Sequence, residues 1–111
     1  MSPKAQVVFC TCPDIEAANI LAHALVSERL AACVNIVPGI RSVYRWQGEV
    51  HEDSEFLLIA KTSTARVAEL TERAVALHPY ECPEVIALPV EQGFAGYLNW
   101  ISEQTQPGQG G

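Results

Sequence analysis

The sequence predicts a single α+β domain, and three observations lead there. Apolar, β-forming runs alternate with stretches of helical periodicity. A long strand-forming segment near the middle is interrupted at Pro38-Gly39 and turns back at Gln47-Gly48. A chain of 111 residues is enough for one hydrophobic core and too short for two. With 49% hydrophobic and 18% charged residues, the composition is that of an ordinary globular protein.

The elements follow in order. Ala5 to Cys12 is apolar and rich in β-formers and stops at Pro13-Asp14, so it reads as a buried strand. Pro13 and Asp14 suit a first helical turn, where proline needs no donor and a carboxylate favours the positive helix end. The helix then spans roughly 14–29, its apolar stripe made of Ala17, Ile20, Leu21, Ala24 and Leu25. Residues 31–46 read as one long strand bent at Pro38-Gly39, followed by a two-residue corner at Gln47-Gly48. The third strand runs to about Lys61, and Thr62, Ser63 or Thr64 caps a second helix carried by Val67, Leu70, Ala74 and Leu77. His78-Pro79 ends it. Pro83 to Val90 supplies a fourth strand and Phe94 to Glu103 a short helix. The domain is expected to occupy 1–105, with 106–111 as a flexible tail that has nothing to bury. The order βαββαβ is the split βαβ arrangement, hence a ferredoxin-like antiparallel sheet with a long central hairpin and a short C-terminal helix.

A formal charge of −6 with only 7 Lys and Arg speaks against a nucleic-acid partner, because affinity for phosphate backbones begins with clustered cations. No apolar run approaches the roughly 20 residues of a membrane span, and the amino terminus lacks the pattern of a secretory signal. A cytoplasmic location and reduced thiols at Cys10, Cys12, Cys33 and Cys82 are therefore expected. Nucleophile elbow, phosphate loop and HExxH motif are all missing, and the chain is not expected to be an enzyme.

The central hairpin points to assembly. A strand of about 14 residues reaches roughly 45 Å, whereas the first helix covers only about 24 Å. Beyond the bend, Ile40, Ser42, Tyr44 and Trp46 alternate onto one face, so two aromatic side chains outrun the helices. Two fates are open to them: contact with another copy in a closed assembly, or folding of the hairpin back over its own sheet.

Several stretches share a common source. Cys10-Thr11-Cys12-Pro13-Asp14, Leu30 to Ile36, Pro38-Gly39-Ile40, Tyr44-Arg45-Trp46-Gln47-Gly48, Lys61-Thr62, His78 to Glu84 and Leu88-Pro89-Val90 together resemble the CutA divalent-cation tolerance family along almost the whole chain. The resemblance implies a homotrimer similar in architecture to the PII signalling proteins, with long hairpins forming intersubunit sheets. It further implies tolerance of copper and other divalent cations such as zinc.

Carried over by position, the family's metal ligands fall on Cys10 and His78; some members have two histidines where this chain has Leu77-His78. Thiolate and imidazole suit copper or zinc, with Glu81 or Glu84 available as completing carboxylates. Set against this, Cys10 on a core strand also reads as a small packed hydrophobe, and His78 as a cation at a helix C-terminus. Cys10 and Cys12 share a strand face without the spacing of a structural zinc motif. His23 and His51 read as facing solvent. Lys61, Tyr80 and Glu84 lie at element ends where a ligand-binding cleft would form, although Lys61 and Glu84 also read as a simple ion pair.

Overall fold

In the computed structural model, residues 4–107 are described. The elements are β1 (Ala5–Cys12), α1 (Ile15–Ser27), β2 (Cys33–Trp46), β3 (Glu49–Ser63), a 3-10 turn at Thr64–Arg66, α2 (Val67–Leu77), β4 (Val85–Pro89) and α3 (Ala95–Gln104). The strands form one sheet in the order β2-β3-β1-β4, every pairing antiparallel. This is the ferredoxin-like arrangement that the order of elements predicted. Of the predicted tail, 108–111 lie outside the described residues.

Alternation decides which face of the sheet is covered. Val8, Cys10 and Cys12 on β1 and Leu58, Ala60 and Thr62 on β3 are buried and point to the helices. Leu21 and Leu25 of α1 and Leu70 and Ala74 of α2 complete this core. The opposite set on the same strands, including Phe9 and Leu57, shares the other face with Ile86 and Leu88 of β4, which stand directly across from Phe9 and Val7. Helix α3 lies against β3 and β1, its Ile101 buried and its Thr105 hydroxyl 2.9 Å from that of Ser63.

Element ends differ from expectation for local reasons. Asp14 does not enter α1 but caps it: its backbone is extended and its carboxylate accepts the Ala17 N–H at 2.8 Å. At the far end Arg29 takes a left-handed φ of 60°, and the Leu30 and Ala31 amides both return to the Leu25 carbonyl. The Arg66 guanidinium holds the Arg29 carbonyl at 3.3 Å. None of Thr62, Ser63 and Thr64 caps α2 directly. The β3 ladder continues through Ser63 opposite Ala5, and the buried Thr62 hydroxyl donates to the Leu30 carbonyl at 2.6 Å, tying the end of α1 to the sheet.

The hairpin follows its sequence closely. Register between β2 and β3 shifts between Val37 and Ile40, where Pro38 lacks a ladder donor and Gly39 has φ 74°. Gln47 and Gly48 both have positive φ, 51° and 80°, the combination that matches a two-residue turn to the twist of its strands. Tyr44 and Trp46 remain about 40% exposed (40% and 42%), so the hairpin does not fold back to bury them.

Candidate metal centre and adjoining cleft

Two thiols lie together because a strand has a period of two. Cys10 and Cys12 project from β1 into the helix-facing core, at 4% and 0% exposure. The imidazole arrives from the other end of the chain. His78 leaves α2 with an extended backbone (φ −77°, ψ 139°), as expected of a residue preceding proline. Its Nε2 lies 2.7 Å from the Thr11 carbonyl oxygen, and its Nδ1 accepts the Tyr80 N–H at 3.1 Å. A carbonyl only accepts, so the hydrogen sits on Nε2 and the lone pair on Nδ1. His78 thus latches the loop after α2 onto the end of β1, and its ring does not serve the helix terminus.

One ligand atom from each of Cys10, Cys12 and His78 lies within 4.8 Å of the others, and all three residues are buried. The hydrogen bond with Cys12, followed by burial, pushes the Cys10 thiol far above its ordinary range. Two sulfurs and an imidazole form a donor set for a soft or borderline cation such as copper or zinc, not for magnesium or calcium. The residues fit such an ion in kind and proximity. Loading it requires loss of thiol protons and exchange of one His78 backbone hydrogen bond.

Beside this cluster a cleft of about 840 Å³ opens between the distal hairpin and the loop after α2. Tyr44 and Trp46 line it from β2, Glu55 from β3, and Tyr80, Glu81 and Glu84 from the loop. Glu55 is only 6% exposed, and the Tyr80 hydroxyl donates to its Oε2 at 2.8 Å. Burial and then this bond hold the Tyr80 phenol above its ordinary value of 10.0. An unfolded chain gives up that proton first, so the stability Tyr80 contributes is complete below pH 10 and lost as the pH rises further. Tyr80→Phe should therefore unfold with a flatter pH dependence above that point, read from urea midpoints. Equal slopes for both proteins would remove Tyr80 from the alkaline limb.

This fold recurs in known proteins. The family described as CutA1 divalent ion tolerance protein matches residues 6–104. The chain belongs to that family. The divalent-cation tolerance protein CutA of Thermus thermophilus is 57% identical over 100 residues, covering 90% of this chain and 97% of the relative. Protein CutA of Homo sapiens is 50% identical over 103 residues, 93% of this chain, which spans 58% of the human protein's length. Among solved structures, the Thermus thermophilus protein superposes with a TM-score of 0.90 at 56% identity, covering 92% of this chain and 99% of that one. CutA1 from Oryza sativa gives 0.90 at 50% identity, covering 95% and 96%.

Within this CutA1 fold the residues singled out from sequence separate into groups. Cys10 and His78 come together, joined by Cys12, whose part in the cluster the sequence did not announce. Tyr80 and Glu84 line one cleft. Lys61 does not join them: it stands opposite Val7 on β1, roughly 20 Å along β3 from Glu55. Its ammonium donates to Asn35, so the expected pairing with Glu84 is replaced by a contact between adjacent strands. Glu81 and Glu84 are exposed in the cleft and lie outside the three-donor cluster. His23 faces solvent as expected, whereas His51 is half-buried and stacks on Tyr44 with centroids 5.5 Å apart. Glu55 was missed. The available signal was a carboxylate placed directly against the apolar run Phe56–Ala60, where an unpartnered charge is costly.

Proposed function

We propose that this CutA1 family member is a homotrimeric divalent-cation tolerance protein that binds copper or zinc directly and performs no catalysis. The observation carrying this reading is the convergence of Cys10, Cys12 and His78 donor atoms within 4.8 Å. Four unpaired cysteines accord with a reducing, cytoplasmic setting. Assembly is supported by the unburied aromatics of the hairpin and by the half-exposed Ile86 and Leu88 on the sheet face opposite α1 and α2.

The test is calorimetric titration of the reduced protein with zinc and copper under anaerobic conditions, with mass followed by light scattering. Cys10→Ala/His78→Ala should lower affinity by about 100-fold or more, since the site keeps one of three donors. Because His78 also holds a loop, Cys12→Ala is the companion variant and should lose affinity while retaining the parent's mass. Metal affinity should rise with pH as thiol protons are released. Parent-like binding by both variants would sink the reading.

A second reading, a PII-like trimeric regulatory or scaffold protein that takes a small ligand or a partner protein, is favoured by the cleft lined by Tyr80 and Glu84.

A further inference from the structure

His78 carries two backbone hydrogen bonds, and ligation of an ion through its ring is incompatible with one of them. Nε2 donates to the Thr11 carbonyl at 2.7 Å, and Nδ1 accepts the Tyr80 N–H at 3.1 Å. If Nδ1 gives its lone pair to a cation, nothing remains to accept the Tyr80 amide. If Nε2 does so, its hydrogen leaves and the neutral ring carries one at Nδ1 instead, which then donates. The Tyr80 N–H would face a second donor. Both nitrogens lead to the same result: His78 cannot ligate an ion and hold the Tyr80 amide at once.

Tyr80 is fastened at its other end as well. Its hydroxyl donates to Glu55 Oε2 at 2.8 Å, and its ring lies against the His78 imidazole with centroids 4.8 Å apart. Glu55 is 6% exposed, so the phenol donor satisfies a carboxylate that water reaches poorly. It stands opposite Ile40, at the bulge from which the distal hairpin begins. One side chain thus ties the loop after α2 to the base of the hairpin, and its own backbone ties that loop to the thiol and imidazole cluster. Both ties are made within one chain, so they do not depend on what the hairpin aromatics meet in an assembly.

We propose that Tyr80 is a positioning residue that sets metal affinity and couples loading to the hairpin: ligation by His78 and the bond from Tyr80 to Glu55 oppose each other. With the cluster empty, Glu55 holds the loop where His78 accepts the Tyr80 amide. Loading of Cys10, Cys12 and His78 frees that amide and loosens the loop from Glu55. By reciprocity, whatever weakens the contact with Glu55 strengthens metal binding by the same factor. The proposal rests on the metal-binding reading and adds the regulation of that site.

The test is calorimetric titration of the reduced, metal-free, full-length protein with zinc and copper, comparing the parent with Tyr80→Phe and Glu55→Gln. Neither variant alters a donor. Tyr80→Phe keeps the ring and removes the hydroxyl, so it should bind the ion at least about fivefold more tightly than the parent, part of what one hydrogen bond to a charged group is worth. Glu55→Gln keeps an acceptor oxygen without the charge and should tighten binding by less. Amide hydrogen exchange across 79–84, followed by mass spectrometry, should quicken by at least about threefold when the parent is loaded. A merely structural Tyr80 would leave affinity unchanged or lower it, and loading that only stiffens its surroundings would slow the exchange. Either result, in a parent that binds metal, overturns the proposal and leaves the metal reading standing. A parent that takes up neither ion removes the metal reading and this proposal with it.

Discussion

Leu58→Ala should lower the free energy of unfolding by about 3 kcal/mol, within the range for leucine truncation in a closed core. Leu58 is 1% exposed at the centre of β3, which pairs with both β1 and β2. It belongs to the cluster formed with Val8, Leu21 and Leu70, all of them almost fully buried. Removing three carbons there loses their transfer free energy and leaves a cavity that strands on both sides cannot close. The measurement is denaturant unfolding at one fixed protein concentration, since association shifts apparent stability. A loss below about 1 kcal/mol, the size of an ordinary surface effect, would mean that the core is not centred on this strand.

The second large effect concerns assembly. Ile86→Glu should dissociate the proposed homotrimer into single chains of 12.1 kDa, as read by light scattering or sedimentation. In one chain Ile86 is 52% exposed, so a carboxylate there remains solvated and the protomer keeps its fold. Against another copy the same carboxylate would be stripped of water without a partner, at a cost of several kcal/mol at every interface of a closed ring. An assembly of parent mass would show that this sheet face is not the interface and would transfer the role to the hairpin alone. Loss of the circular dichroism signal would instead place Ile86 inside the protomer core.

Much of the fold was legible because periodicity is local. Cys10 and Cys12 share a face, as do Tyr44 and Trp46, because a strand alternates whatever surrounds it. Pro38-Gly39 and Gln47-Gly48 marked the bulge and the corner through their own backbone restrictions, and both appear there. The ends of α1 and α2 were less legible because distant groups set them. Thr62 has the side chain of a cap, but a carbonyl 32 residues away claims its hydroxyl and keeps it in the strand.

The site divides along the same line. By itself, the sequence determined the element order, the two thiols on one strand face, the break at His78-Pro79 and the place of Tyr80 and Glu84 at element ends, because each depends on residue type and spacing within a few positions. Only the tertiary structure decided that His78 reaches the carbonyl of Thr11, 67 residues earlier, and so completes a cluster with both thiols. It also decided that Tyr80 meets Glu55 and that Lys61 is drawn to Asn35 at the other end of the sheet. These partnerships follow from strand order and register. Packing two helices on one face settles that register over the whole domain, and no local pattern contains it.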